Sequence, residues 1–179
     1  MALQSINIGS AANDGTGSTL RAAFDICNDN FTELYDGSGG LLHKIEGTNF
    51  TGSLLVGHST TGTIDNAYYN TALGIGALDA LTTADYNVAI GYNTGTAITT
   101  GSSNILIGSN AGDALVGGAS NIAIGRQALS TEDGHGRNVA IGHATLENQN
   151  AGTDAYNIAI GYTAGISVST GTFNTLIGG

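Results

Sequence analysis

Short apolar clusters of the form Asn-h-Ala/Leu-h-Gly, with h apolar or Thr, recur along the chain in near-constant register. They are Asn70-Thr-Ala-Leu-Gly74, Asn87-Val-Ala-Ile-Gly91, Asn104-Ile-Leu-Ile-Gly108, Asn121-Ile-Ala-Ile-Gly125, Asn138-Val-Ala-Ile-Gly142, Asn157-Ile-Ala-Ile-Gly161 and Asn174-Thr-Leu-Ile-Gly178. Successive asparagines lie 17, 17, 17, 17, 19 and 17 residues apart. One period further back, Ser53-Leu-Leu-Val-Gly57 is a degenerate copy suited to a capping turn.

Counting each Asn as position 1, positions 2 and 4 are Val, Ile, Leu or Thr, and position 3 is Ala or Leu. Such alternation is a strand signature, with positions 2 and 4 on one face and position 3 on the other. A second segment has a small residue at position 8 (Ala77, Thr94, Ala111, Ala128, Thr145, Ala164), then Leu or Gly, and in four turns an aliphatic residue at position 12: Leu81, Ile98, Leu115 and Val168. Polar, Gly-rich stretches such as Thr99-Thr-Gly-Ser-Ser103 close the turns. The period is too short for helix-pair repeats, which need roughly 33 residues or more. One such turn cannot bury its own apolar face, but turns stacked about 4.8 Å apart form a parallel sheet. The pattern therefore predicts an all-β chain, a parallel β-solenoid of 17-residue turns over 53–179. In it the asparagines Asn70, Asn87, Asn104, Asn121, Asn138, Asn157 and Asn174 stack into a hydrogen-bonded ladder. Glycine at position 5 supplies the positive φ that turns the chain. The two extra residues between Asn138 and Asn157 fit a loop bulging within 146–155.

Alternation leaves two assignments of the faces. In the first, positions 2 and 4 fill the core, and Ala72, Ala89, Leu106, Ala123, Ala140, Ala159 and Leu176 make an apolar stripe outside it, shaped for close packing against another subunit. In the second, position 3 points inward. We take the first as the expectation, and with it a homotrimer.

Residues 1–52 do not follow the period. Asn13-Asp-Gly-Thr-Gly17 is a turn cluster, Ser18 or Thr19 caps a following helix over about 18–35, and Asp36-Gly-Ser-Gly-Gly40 ends it. Leu20, Phe24, Cys27, Phe31 and Leu34 are spaced 4, 3, 4 and 3, a heptad core pattern. This fits either an amphipathic helix packed on a neighbour or a trimeric coiled coil that starts a fibre. Cys27 there reads as a small buried hydrophobe.

Composition narrows the function classes. There are 29 glycines in 179 residues and no proline, yet 41% of residues are hydrophobic, so the glycines mark regular turns rather than disorder. A net charge of −10 with four Lys+Arg argues against nucleic acid, whose phosphates need basic partners. Neither a signal peptide nor a run of about 20 apolar residues is visible, so no membrane insertion is expected and synthesis is in a host cytoplasm. One cysteine excludes an intrachain disulfide.

Candidate chemistry is sparse. Glu132 and Asp133 share a turn with His135, and His143 lies at position 6 of the next turn; we read them as a solvated polar corner. Histidines 43, 58, 135 and 143 show no metal-ligand spacing. The glycines are followed by no Gly-Lys-Ser/Thr and so form no phosphate loop. Position 6, reading Ile75, Tyr92, Ser109, Arg126, His143 and Tyr162, is too heterogeneous for a selected binding column. No catalytic residue, cofactor or metal is expected, and no enzymatic activity.

Two resemblances cover most of the chain. Ile6-Asn-Ile-Gly9, Asn13-Asp-Gly-Thr-Gly17, Leu20-Arg-Ala-Ala-Phe24 and Asn28-Asp-Asn-Phe31 resemble a segment near the N-termini of bacteriophage tail-fibre and other virion proteins. That resemblance implies attachment to a phage tail or baseplate protein. The Asn-Val-Ala-Ile-Gly turns are similar to the head repeats of trimeric autotransporter adhesins of the YadA type and to related phage-fibre repeats. Those heads are trimers of parallel β-rolls, although the turn here is longer than theirs. Together the resemblances imply a virion tail fibre, a rigid trimeric shaft whose distal tip contacts a host surface receptor. The chain stops at Gly178-Gly179 just after opening a turn, so we expect further turns and the tip beyond it. The alternative they leave is the head fragment of a bacterial trimeric surface adhesin.

Overall fold

The structure is a computed structural model that describes residues 43–47, 50–56 and 64–179. The chain divides into two compact units, Met1–Leu42 and His43–Gly179, and every described residue belongs to the second. The expected helix over 18–35 and its heptad residues Leu20, Phe24, Cys27, Phe31 and Leu34 lie outside the described residues.

Nine strands make one sheet in chain order: β1 (His43–Gly47), β2 (Phe50–Val56), β3 (Thr71–Leu73), β4 (Val88–Ile90), β5 (Ile105–Ile107), β6 (Ile122–Ile124), β7 (Val139–Ile141), β8 (Ile158–Ile160) and β9 (Thr175–Ile177). β1 and β2 are antiparallel, so β1 covers one edge of the sheet. From β2 to β9 every pairing is parallel and joins equivalent positions of successive turns, as in Ala89↔Leu106 and Leu106↔Ala123. The described part is thus all-β, a parallel solenoid of about seven turns.

Asparagine at position 1 ties each turn twice. The backbone N–H of each ladder Asn donates to the side-chain Oδ1 of the one before, at 3.0 Å from Asn87 to Asn70 and 3.0 Å from Asn104 to Asn87, continuing to Asn174 on Asn157 at 2.8 Å. The side-chain Nδ2 also closes its own turn, donating to the carbonyl of Ala84 from Asn70, of Gly101 from Asn87 and of Gly118 from Asn104. Ser53 starts the ladder: its Oγ accepts the Asn70 N–H at 2.7 Å. Six of the seven asparagines, Asn70 to Asn157, are fully buried, a placement tolerable only because their amides are so well paired.

That ladder decides the faces. Positions 1 and 3 of a strand share a face, so an inward Asn carries position 3 inward with it. The expected outer stripe is therefore corrected. Ala72, Ala89, Leu106, Ala123, Ala140 and Ala159 are fully buried in the core, and Leu176 is partly buried against it. Positions 2 and 4 face outward instead, with Leu73, Ile90, Ile105, Ile158 and Ile160 among the exposed residues.

The core is narrow and its sizes are matched. Leu106 is one of two large residues at position 3 of the seven Asn-led turns, and it lies against glycines at position 9 in its own and the preceding turn: a Cβ on Gly95 would come within 2.7 Å of one Leu106 methyl, and one on Gly112 within 3.0 Å of the other. The other large residue, Leu176, likewise fills the room over Gly165. Where position 9 is Leu, as at Leu78, Leu129 and Leu146, position 3 of the same turn is Ala. Glycine at position 5 is required by close approach as well as by φ. Gly125 has φ +135°, and a Cβ there would overlap the backbone carbonyl of Gly142 in the next turn.

Candidate functional site

Three surfaces of the solenoid carry enough chemistry to be considered. The first is the outer face of the sheet. Rungs at positions 2 and 4 present Leu, Val, Ile and Thr, and no charged side chain stands among them from β3 to β9. The residues are half-buried in the middle of the stack, at Ile107, Ile122, Ile124, Val139 and Ile141, and exposed towards its ends, where Leu73 is 52% and Ile177 77% exposed. Eight flat parallel rungs spaced about 4.8 Å apart make this a continuous apolar strip of roughly 34 Å. Contiguous apolar patches of that extent mark places where another surface docks.

Two columns border the strip. Position 17, just before each ladder Asn, holds Tyr69, Tyr86, Ser103, Ser120, Arg137, Tyr156 and Phe173. All seven have a left-handed backbone, with φ between 54° and 63°. Non-glycine residues rarely adopt it, and here the following Asn, bonded into the ladder, holds it in place. Tyr69 stacks on Tyr86 with ring centroids 5.1 Å apart, and Tyr156 on Phe173 at 5.1 Å. The Arg137 guanidinium lies 5.4 Å from the Tyr156 ring and pairs with Asp154 of the enlarged turn. Across the strip, position 6 brings Arg126 Nη1 to 3.1 Å from His143 Nε2, and the His143 ring stacks on Tyr162 at 5.2 Å. The column that seemed heterogeneous in sequence is thus continuous over its last three turns.

The second surface is the corner of Glu132, Asp133 and His135. The structure brings these three together, with one ligand atom of each within 4.8 Å of the others. The solvated corner read from sequence is corrected at one residue, because the Glu132 side chain is fully buried. It occupies position 12, the place of Leu81, Ile98 and Leu115 in the turns before it. Had the whole column been followed, the polar residue among aliphatic ones would have signalled burial. His143 is not part of this cluster.

The third is a shallow hollow of about 400 Å³ lined by Thr163, Ala164, Gly165 and Leu176–Gly179. It lies over core residues of the last two turns, and its lining holds no titratable side chain. No helix among the described residues is long and apolar enough to cross a membrane. No family model, curated protein or solved structure matches the chain.

Proposed function

We propose that this chain is a non-enzymatic structural element of a bacteriophage tail fibre, a homotrimeric shaft that joins the virion tail to a distal receptor-binding tip. The observation that carries this reading is the outer sheet face, where aliphatic side chains that would fill the core of an ordinary domain point away from it. Three copies meeting along these faces would bury the strip about a common axis. The stacked tyrosines at position 17 and the Arg126–His143–Tyr162 column would then line the seams. The in-register ladder supplies the stiffness a shaft needs, because every turn is bonded to the next through both backbone and side chain.

The N-terminal resemblance supports attachment to a tail or baseplate protein, and receptor contact belongs to a region distal to these turns. The Asn-Val-Ala-Ile-Gly turns equally suit the head of a bacterial trimeric adhesin, which shares the shaft architecture but not the tail attachment. Light scattering of the intact chain after size exclusion tests the assembly. A mass three times the 17.9 kDa of the chain is expected. A clean monomer at micromolar concentration would remove the trimeric shaft from consideration.

A further inference from the structure

Position 12 is aliphatic in four turns and polar in two consecutive ones, Glu132 and Gln149, both fully buried. Gln149 Oε1 accepts the Asn157 Nδ2–H at 2.9 Å, in the turn enlarged by two residues, while its Nε2 has no hydrogen-bond partner. Glu132 is likewise satisfied at one atom only. Its Oε1 accepts the backbone N–H of His135 at 3.1 Å and so closes the corner. Its Oε2 is shielded from solvent and has no hydrogen-bond partner.

The neighbouring groups are those of a cation site. His135 Nδ1 is also shielded and unpartnered, and it stands 3.5 Å from Glu132 Oε1. Asp133 adds a carboxylate at the exposed rim. The position-13 column of turn-to-turn bonds is interrupted at this corner. Position 13 bonds turn to turn from Thr82 to Thr99, Thr99 to Val116 and Val116 to Asp133, and again from Asn150 to Ser169. Among the described residues no such bond joins Asp133 to Asn150.

We propose that Glu132, Asp133 and His135 bind one divalent transition cation of the zinc or manganese class. A carboxylate oxygen enclosed without a partner is costly, and a cation shared with an imidazole nitrogen and a second carboxylate removes that cost. The mixed nitrogen and oxygen set favours such ions over calcium or magnesium, which prefer oxygen throughout. Tetrahedral zinc with bonds of about 2.1 Å places its ligands roughly 3.4 Å apart. The partly exposed His135 ring and the rim Asp133 would close by up to about 1.4 Å from the observed spacing on binding the ion. Glu132 would be the fixed ligand, since its Oε1 is already held by the chain.

The test is calorimetric titration of the intact, chelator-treated protein with zinc chloride and, separately, manganese chloride. One site per chain is expected, weakened at least tenfold by His135→Gln and by Glu132→Gln, and unchanged by His143→Gln. Manganese should broaden the His135 ring protons before those of the other three histidines, a readout on the wild-type chain that does not depend on any variant folding. Magnesium should do neither. Absence of binding at millimolar zinc or manganese, binding that His135→Gln leaves intact, or broadening that spares His135 would each overturn the proposal.

Discussion

The inner and outer faces of the same three-residue strands invert the usual relation between size and burial. Inside stand alanines, with Leu106 and Leu176 as the two exceptions; outside stand valine, isoleucine and leucine on most rungs. In a half-buried sheet of an ordinary domain the larger apolar residues would be the inner ones. The solenoid reverses this because its cross-section is about one side chain deep and the asparagines occupy part of it. Position 3 must share that space with positions 8, 9 and 12 of the opposite wall. The core side of these strands is therefore mostly alanine. The bulk of the core comes from residues such as Leu78, Leu81, Ile98 and Leu115 of the opposite wall, and the larger strand residues lie on the surface. Stability belongs to the inner face, and in the proposed assembly association would belong to the outer one.

The comparison is broken most severely by emptying the inner face where it is fullest. Leu106 is fully buried and fills the room above two glycines, where methyls of Leu78, Ile98 and Leu115 also converge. Leu106→Ala is expected to cost about 2–5 kcal/mol. Urea unfolding followed by circular dichroism measures this. A loss below about 1 kcal/mol would show that the inner face is not the tightly packed one.

Next in size is the ladder. Asn104→Ala removes the acceptor of the Asn121 N–H and the donor to both Asn87 Oδ1 and Gly118 O, all buried. Leaving such groups unpaired costs about 1–3 kcal/mol. Thermal unfolding should show a clear drop in Tm for Asn104→Ala, and an unchanged Tm would sink the claim that the ladder supports the stack.

The ladder also explains what could be read in the chain beforehand. The turn length, the strand at positions 2–4, the stacked asparagines and the capping role of Ser53 all follow from a repeat with fixed chemistry at fixed places. The orientation of the strand was legible too, but through Asn70 and its successors rather than through hydrophobicity. Alternation of apolar residues is symmetric between faces, whereas a buried amide at position 1 is not. Left-handed residues such as Tyr86 and Arg137 carry no local signal, because tertiary hydrogen bonds impose that geometry on whatever side chain stands there. The corner at Glu132 was visible as residues and invisible as burial. Its enclosure follows from the column it interrupts, and columns emerge only once turns are stacked.

The smallest effect on the fold, and the sharpest test of the comparison, lies on the outer face. Ile107→Thr combined with Ile124→Thr places hydroxyls on two adjacent central rungs, at side chains that are half-buried in the single chain. Threonine keeps the β-branch that suits a strand, and Thr71 and Thr175 already occupy outer positions of this sheet. Circular dichroism should remain that of the wild type, with the unfolding free energy of a single chain lowered by about 1 kcal/mol or less. In the proposed trimer, association should suffer far more, since two unsatisfied hydroxyls would be buried between copies and each costs about 1–3 kcal/mol there. Light scattering across a dilution series should then give dissociation at concentrations where the wild type keeps its assembled mass. If the double variant holds that mass as well as the wild type does, copies meet elsewhere, and the surplus aliphatic face would have to serve a different partner.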